Sequence, residues 1–411
     1  MAGVMERAHA EALDAADPLA GFRDRFEHAG DGIYLDGNSL GRLPAATRAR
    51  VIEALDQWSS EVVSGWHEWI DLPLRAGDAL GALLGAAPGE VIATDSVTVN
   101  LYKLACAALD ARGPGALVTD RGNFPTDRYV LEGIAAARGL ELRIFDSDEL
   151  DGPVAADLDG LAEGDVVVLS HVAYRSGALA DMAGLTAAAR SRGATLIWDL
   201  SHSAGAVPVD LGGAGAELAV GCTYKYLNAG PGAPGYLYVA SELQDRLRSP
   251  VQGWFGQAEQ FAMERDYDPV PGIGRFLAGT PPILQLAAVE EGAKLTAEAG
   301  LAAIREKSVA LTELIVALFD EWLEPLGFEL GSPRDPERRG SHVSVDHPRA
   351  WTFTRALIDA GVTPDFRGPV SIRLGVAPLY TSYTEVYDAL DLLRAIAARE
   401  DLPDAPPARV T

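Results

Sequence analysis

The middle of the chain alternates short apolar runs with helix-length amphipathic stretches. GDVVVLS (164–170) reads as a buried strand, MAGLTAAARSRG (182–193) as a helix stopped by glycine, and ATLIWD (194–199) as a strand again. AELAVGCT (216–223) and GYLYVA (235–240) repeat the β signature. Strands spaced by helix-length connections predict an α/β fold with a mostly parallel sheet. In such sheets ligands sit beyond the carboxyl ends of the strands, which marks Ser170, Asp199 and the segment around Lys225. Upstream, AATRARVIEALDQW sets Val51, Ile52, Leu55 and Trp58 on one helical face. Past Pro281 a long helical reading begins. HVSVDH (342–347) and VSIRLGVAPL (370–379) then read as strands, and SYTE (382–385) as a capping box opening a last helix. The expected organisation is an arm over 1–45, a large α/β unit over 46–275 and a smaller C-terminal α+β unit over 276–411.

Composition narrows the class. With 411 residues, 48% of them apolar and 23% charged, the chain reads as an ordinary globular protein of two packed units. No apolar run approaches the roughly 18 residues of a membrane span. Glu6, Arg7, Glu11 and Asp14 stand where a secretion signal needs an apolar stretch, so a cytoplasmic location is expected. Cys106 and Cys222 are too few for a disulfide framework. A net charge of −25, from 34 basic and 59 acidic residues, argues against nucleic acid or an anionic membrane as partner. An anionic small molecule would need helix N-termini and placed arginines.

The stretch CTYKYLNAGPGAPG (222–235) holds two candidate signals. Gly230 to Gly235 satisfies G-x-G-x-x-G, but two prolines and a following strand leave no helix N-terminus for a pyrophosphate, so it reads as a tight turn. Lys225 just past one strand and Asp199 at the end of another fit a pyridoxal phosphate enzyme. Such an enzyme needs an amine for a Schiff base and a carboxylate to keep the pyridine nitrogen protonated. That pairing alone also recurs by chance.

The surrounding motifs are more specific. WDLSHSAGAVPVDL, CTYKYLNAGPGAPGYLYV, NFPTDRYVLEG, YLDGNSLGRLP, GWFGQ, AGTPPILQL and VSIRLGVAPLYTS together resemble the kynureninase family, in the family's order, from about residue 30 to 395. The resemblance implies the fold type I pyridoxal phosphate-dependent transferase architecture. It also implies hydrolysis of L-kynurenine to anthranilate and L-alanine in tryptophan catabolism, with 3-hydroxykynurenine as a further candidate substrate. A homodimer with the active site at the subunit interface comes with it.

Residue by residue, the resemblance assigns Lys225 to the Schiff base and Asp199 to the pyridinium nitrogen. It sets His202 beside them as an orienting group and Tyr224 as a phosphate contact and proton donor, whose hydroxyl a nearby cation should acidify. Phe124 would stack on the ring and Asp127 fix neighbouring polar groups, although NFPTD also spells a turn. Val97 and Thr98, where a loop enters a helix, suit a phosphate. Ser170 and Trp254 are further cofactor contacts. Arg373 is the candidate clamp for the amino-acid carboxylate. Asn38 and Ser39 divide between a substrate edge and a glycine-rich turn. Thr280, toward both cofactor and substrate, and Trp66, interchangeable with His67 in SGWHEW, favour plain kynurenine. His342 and His347, five apart on a strand reading, face opposite sides, and no metal site is expected. Two other readings stand beside this one: a cysteine-desulfurase-like enzyme, and a cofactor-binding protein without turnover.

Overall fold

The computed structural model describes residues 6–27, 30, 32–113, 115–263, 266–399 and 402–403. Its strands in chain order are β1 (Ile33–Leu35), β2 (Val91–Ala93), β3 (Leu117–Asp120), β4 (Leu142–Phe145), β5 (Val166–Ser170) and β6 (Thr195–Asp199). They continue with β7 (Leu218–Gly221), β8 (Tyr236–Val239), β9 (Glu329–Leu330), β10 (His342–Asp346), β11 (Val362–Arg367) and β12 (Ser371–Gly375). Among the described residues these form two sheets, ordered β2-β8-β7-β6-β5-β3-β4 and β1-β11-β12-β10-β9. In the larger sheet only β8 runs against its neighbours.

The strands of the large sheet read as continuous apolar runs because helices cover both faces. Side chains alternate across it. Val167, Leu169, Leu196 and Trp198 enter one core with helices Leu72–Leu83, Met182–Ser191 and Ile283–Ala299. Val166, Val168 and Ile197 enter the opposite core with Val97–Arg112 and Pro125–Arg138. Between β7 and β8 the G-x-G-x-x-G segment is a turn, with Gly230 and Gly232 at φ of 91° and 76°, and a strand follows it.

The smaller sheet packs on Leu301–Leu318, Ala350–Asp359 and Tyr383–Ala397. The capping box read from SYTE is present: the Ser382 hydroxyl accepts from Glu385 N–H at 3.1 Å, and the Glu385 carboxylate accepts from Ser382 N–H at 2.9 Å. The core changes near Gly300 rather than at residue 276, since Leu286, Val289 and Ala293 of helix Ile283–Ala299 pack with the large sheet while Leu311 and Leu314 begin the second core. The arm contributes β1, which pairs in parallel with β11, Ile33 opposite Val362.

The apolar face read on helix Ala45–Glu61 stays largely open in the single chain. Ile52, Leu55 and Trp58 stay 48%, 41% and 58% exposed, and the buried positions are Thr47 and Ala54. Among the described residues no helix is long and apolar enough to cross a membrane.

Candidate active site

A cavity of about 460 Å³ opens past the carboxyl ends of β6 and β7, within the range of small-molecule sites. Asp199 closes β6 at its floor. Its Oδ1 accepts the Ser201 N–H at 2.8 Å and the Ser201 hydroxyl at 2.6 Å. Tyr224 and Lys225 follow β7 on one wall. The Lys225 ammonium lies 3.3 Å from His202 Nε2 and 5.9 Å from the ring centroids of both Phe124 and Tyr224. Phe124 in turn meets Tyr174 edge-on at 5.3 Å.

The opposite end is built from backbone. Helix Val97–Arg112 begins there, capped by the Ser96 hydroxyl, which accepts from Val99 N–H at 3.3 Å. The first N–H groups of a helix have no partner within it, so those near Val97 and Thr98 suit an anion. The turn before β8 supplies the adjoining wall through Gly232 and Gly235. Glycine is required at 235, where a Cβ would meet the Gly221 carbonyl oxygen at 2.7 Å and Val97 N at 3.2 Å.

Burial dominates the electrostatics. It holds the Asp127 carboxyl well above the usual range, and the charge of Asp199 adds to the effect. Burial likewise raises Asp199. One Asp127 oxygen, Oδ2, is buried without a hydrogen-bond partner. Two desolvated carboxyls with one orphaned oxygen call for a cationic N–H between them. His202 is held well below its ordinary pKa by burial first and then by Lys225, so its ring is neutral. The expected acidification of Tyr224 is corrected: its phenol is pushed up, first by the adjacent Cys222 sulfur and then by burial.

A protonated pyridine nitrogen at Asp199, a phosphate at the helix N-terminus and an aldehyde at Lys225 therefore fit this donor set. Of the residues marked in the sequence, the structure brings Val97, Thr98, Phe124, Asp127, Asp199, His202, Tyr224, Lys225 and Thr280 to the cavity wall. Ser170 turns away: its hydroxyl donates to Asn123 Oδ1 at 2.5 Å, and it lines a neighbouring cavity with Tyr174 and Arg175. Trp254 is 41% exposed and packs edge-on against Phe255 and Phe261. Trp66 meets Trp69 edge-on and Phe255 at a tilt beside a separate apolar groove, while His67 points to solvent.

Arg373, Asn38 and Ser39 form a cluster of their own. The Arg373 guanidinium is 1% exposed, ion-paired with Asp365, and donates to the Tyr174 carbonyl and to the Ser39 hydroxyl at 3.1 Å. With its amide oxygen turned toward the guanidinium, Asn38 accepts from Nε at 3.1 Å and Nη2 at 3.2 Å. This cluster adjoins His202 through His342, whose ring centroid lies 5.8 Å from that of His202. Sequence reasoning missed Asp365, Asn123 and Ser201. Only Ser201 left a signal, as the residue two past the end of β6.

Comparison with known proteins agrees with this geometry. The family model of the kynureninase C-terminal domain matches residues 304–393. The kynureninase of Pseudomonas fluorescens is 45% identical over 399 residues, covering 95% of each chain. That of Burkholderia pseudomallei is 44% identical over 404 residues, covering 96% of each. Among solved structures, a C-DES mutant with glycine covalently linked to its pyridoxal phosphate cofactor superposes with a TM-score of 0.80 at 19% identity, over 90% of this chain and 98% of that one. The cysteine desulfurase of Thermococcus onnurineus gives 0.76 at 19%, over 97% and 99%. These solved structures share the fold at low identity, whereas the likeness to the bacterial kynureninases runs nearly end to end at more than twice that level: the chain belongs to the kynureninase family.

Proposed function

We propose that this cleft binds pyridoxal phosphate on Lys225 and cleaves L-kynurenine hydrolytically to anthranilate and L-alanine, with its residues in the following roles. The convergence of Lys225, Asp199 and Phe124 on one cavity carries the reading. When bound, the cofactor supplies an electron sink that stabilises negative charge at the substrate's α- and β-carbons. Asp199, braced by Ser201, keeps the ring nitrogen protonated. Asp127 offers its unpartnered oxygen to polar groups beside it. Val97 and Thr98 hold the phosphate with backbone N–H groups, and Phe124 covers the ring face.

Lys225 takes the proton from the substrate α-carbon once its amine is free. Neutral His202, 3.3 Å away, orients that amine without competing for the proton. Tyr224, with a raised pKa, stays a protonated phenol at neutral pH and so can donate to the β-carbon. Arg373, held by Asp365, Asn38 and Ser39, presents positive charge for the substrate carboxylate from beyond His202. Thr280, on the cavity wall, favours kynurenine over its 3-hydroxy derivative, whereas Trp66 lies outside this cleft in the single chain. Cys222 reaches the cavity wall, but its sulfur faces the Ser201 carbonyl at 3.5 Å and burial raises its pKa, which disfavours desulfurase chemistry.

The assembly is a homodimer. Its support is the bare apolar face of Trp58, Val62 and Val63, which continues into the groove beside Trp66. Two free buried thiols accord with a cytoplasmic location. Incubating the purified, cofactor-loaded protein with L-kynurenine should release fluorescent anthranilate with equimolar alanine. The Lys225→Ala variant should show neither the visible absorbance of lysine-bound cofactor nor more than about a thousandth of the rate. No anthranilate from the wild type, or an unchanged rate in the variant, sinks this reading.

A further inference from the structure

Beneath the phosphate end of the cleft lies a charge pair that none of the roles above uses. Asp95 precedes the cap Ser96 and lines the cavity, with its side chain 30% exposed. A carboxylate there opposes the dianion it helps to enclose. Lys103 stands eight residues on, in the second turn of helix Val97–Arg112, and its side chain reaches back to the loop before the cap. Its side chain is wholly buried and donates to Asp95 Oδ2 and, at 2.6 Å, to the Phe276 carbonyl. The Thr94 hydroxyl donates to the same Asp95 oxygen at 3.1 Å. The Asp95 backbone sits at φ of 45°, a left-handed conformation that a residue with a side chain adopts only when its surroundings hold it there. Its carbonyl accepts the Gly235 N–H at 2.7 Å.

We infer that Lys103 is a positioning residue for the cofactor phosphate. Its ammonium cancels the Asp95 charge and pins the 94–97 loop, so that the N–H groups at Val97 and Thr98 face an anion without a carboxylate opposing it. Through Phe276 it also ties that loop to the segment that carries Thr280 across the cleft. The inference rests on the pyridoxal phosphate reading of the cleft. Lys103 itself is fully buried and does not line the cavity.

The test compares pyridoxal phosphate with pyridoxal, which lacks the phosphate. Cofactor-stripped full-length protein is titrated with each, following quenching of tryptophan fluorescence and the visible band. Lys103→Met, which leaves Asp95 unpaired, should weaken pyridoxal phosphate by about tenfold or more and leave pyridoxal unchanged. Lys103→Met with Asp95→Asn should recover to within about threefold of the wild type, as expected when two sites act through one pair. Asp95→Asn alone should bind pyridoxal phosphate at least as tightly as the wild type. Equal losses for both ligands in Lys103→Met, or no recovery in the double variant, overturns the inference. Should Lys103→Met fail to fold by circular dichroism, the double variant decides: a fall of about tenfold or more in its preference for the phosphorylated ligand refutes the role. If the wild type takes up no pyridoxal phosphate, it is the cofactor reading that fails.

Discussion

His171 follows β5 directly and sets its buried ring edge-on to Trp198, centroids 5.8 Å apart, with Nδ1 unpartnered. Burial lowers its pKa from 6.5 to about 4. A histidine whose folded pKa is depressed contributes stability that is fully present above 6.5 and is lost as pH falls toward 4, because the unfolded chain takes up the proton first. That interval corresponds to about 3 kcal/mol. The wild type should therefore lose about 3 kcal/mol relative to His171→Phe between pH 7 and pH 4, measured by urea unfolding at both. A difference between the two proteins that ignores pH removes the idea. Buried His202 and His342 act with the same sign. Asp36, pushed up to about 6 by burial first and then by Asp365, acts with the opposite sign: its penalty grows as pH rises from the unfolded carboxylate range through 6. At this scale the meeting of Lys225 and Asp199 in one cleft was legible because short motifs carry it. The direction of Ser170 was not, since Asn123, 47 residues away, captures its hydroxyl. The Arg373–Asp365 pair was equally hidden: it exists only once β11 and β12 pair and set the two residues opposite one another.

Helix ends were easier to read than helix faces. The capping box at Ser382 is local chemistry, three residues long, and stands in the structure as written in the sequence. The start of helix Val97–Arg112 depends on Ser96 in the same way, and there the cap also orders the N–H groups proposed for the phosphate. Ser96→Ala should cost about 1 kcal/mol in urea unfolding of the cofactor-free protein, and an unchanged midpoint would deny the cap its role. The stripe on Ala45–Glu61 was legible as a helical face, but periodicity reports that a face is apolar and not what covers it. Burial of helix Ile283–Ala299 against Leu72–Leu83 and Ala45–Glu61 likewise moved the change of core to Gly300. No shift in composition near residue 276 or residue 300 records which sheet a helix will join.

The exposed face of Trp58, Val62 and Val63 sets the expectation for the whole molecule. Light scattering after gel filtration should give the mass of two chains. Val63→Asp, placing a charge on a residue 76% exposed in the single chain, should shift the mass toward one chain while circular dichroism stays unchanged. A wild-type mass of one chain sinks the dimer. The arm and the last helix are clasped as well: Arg23 holds Glu385 of the capping box at 2.5 Å, and Asp14 accepts the N–H groups of Tyr383 and Thr384 at 2.7 and 3.0 Å.

The pairing of β1 with β11 sets an order of events during synthesis. Ile33 leaves the ribosome more than three hundred residues before Val362, its neighbour in the finished sheet. The strands from Val91 to Val239 find partners among themselves and can close while translation continues. The stretch made earliest thus waits for one made near the end, and the smaller half of the protein assembles around it last.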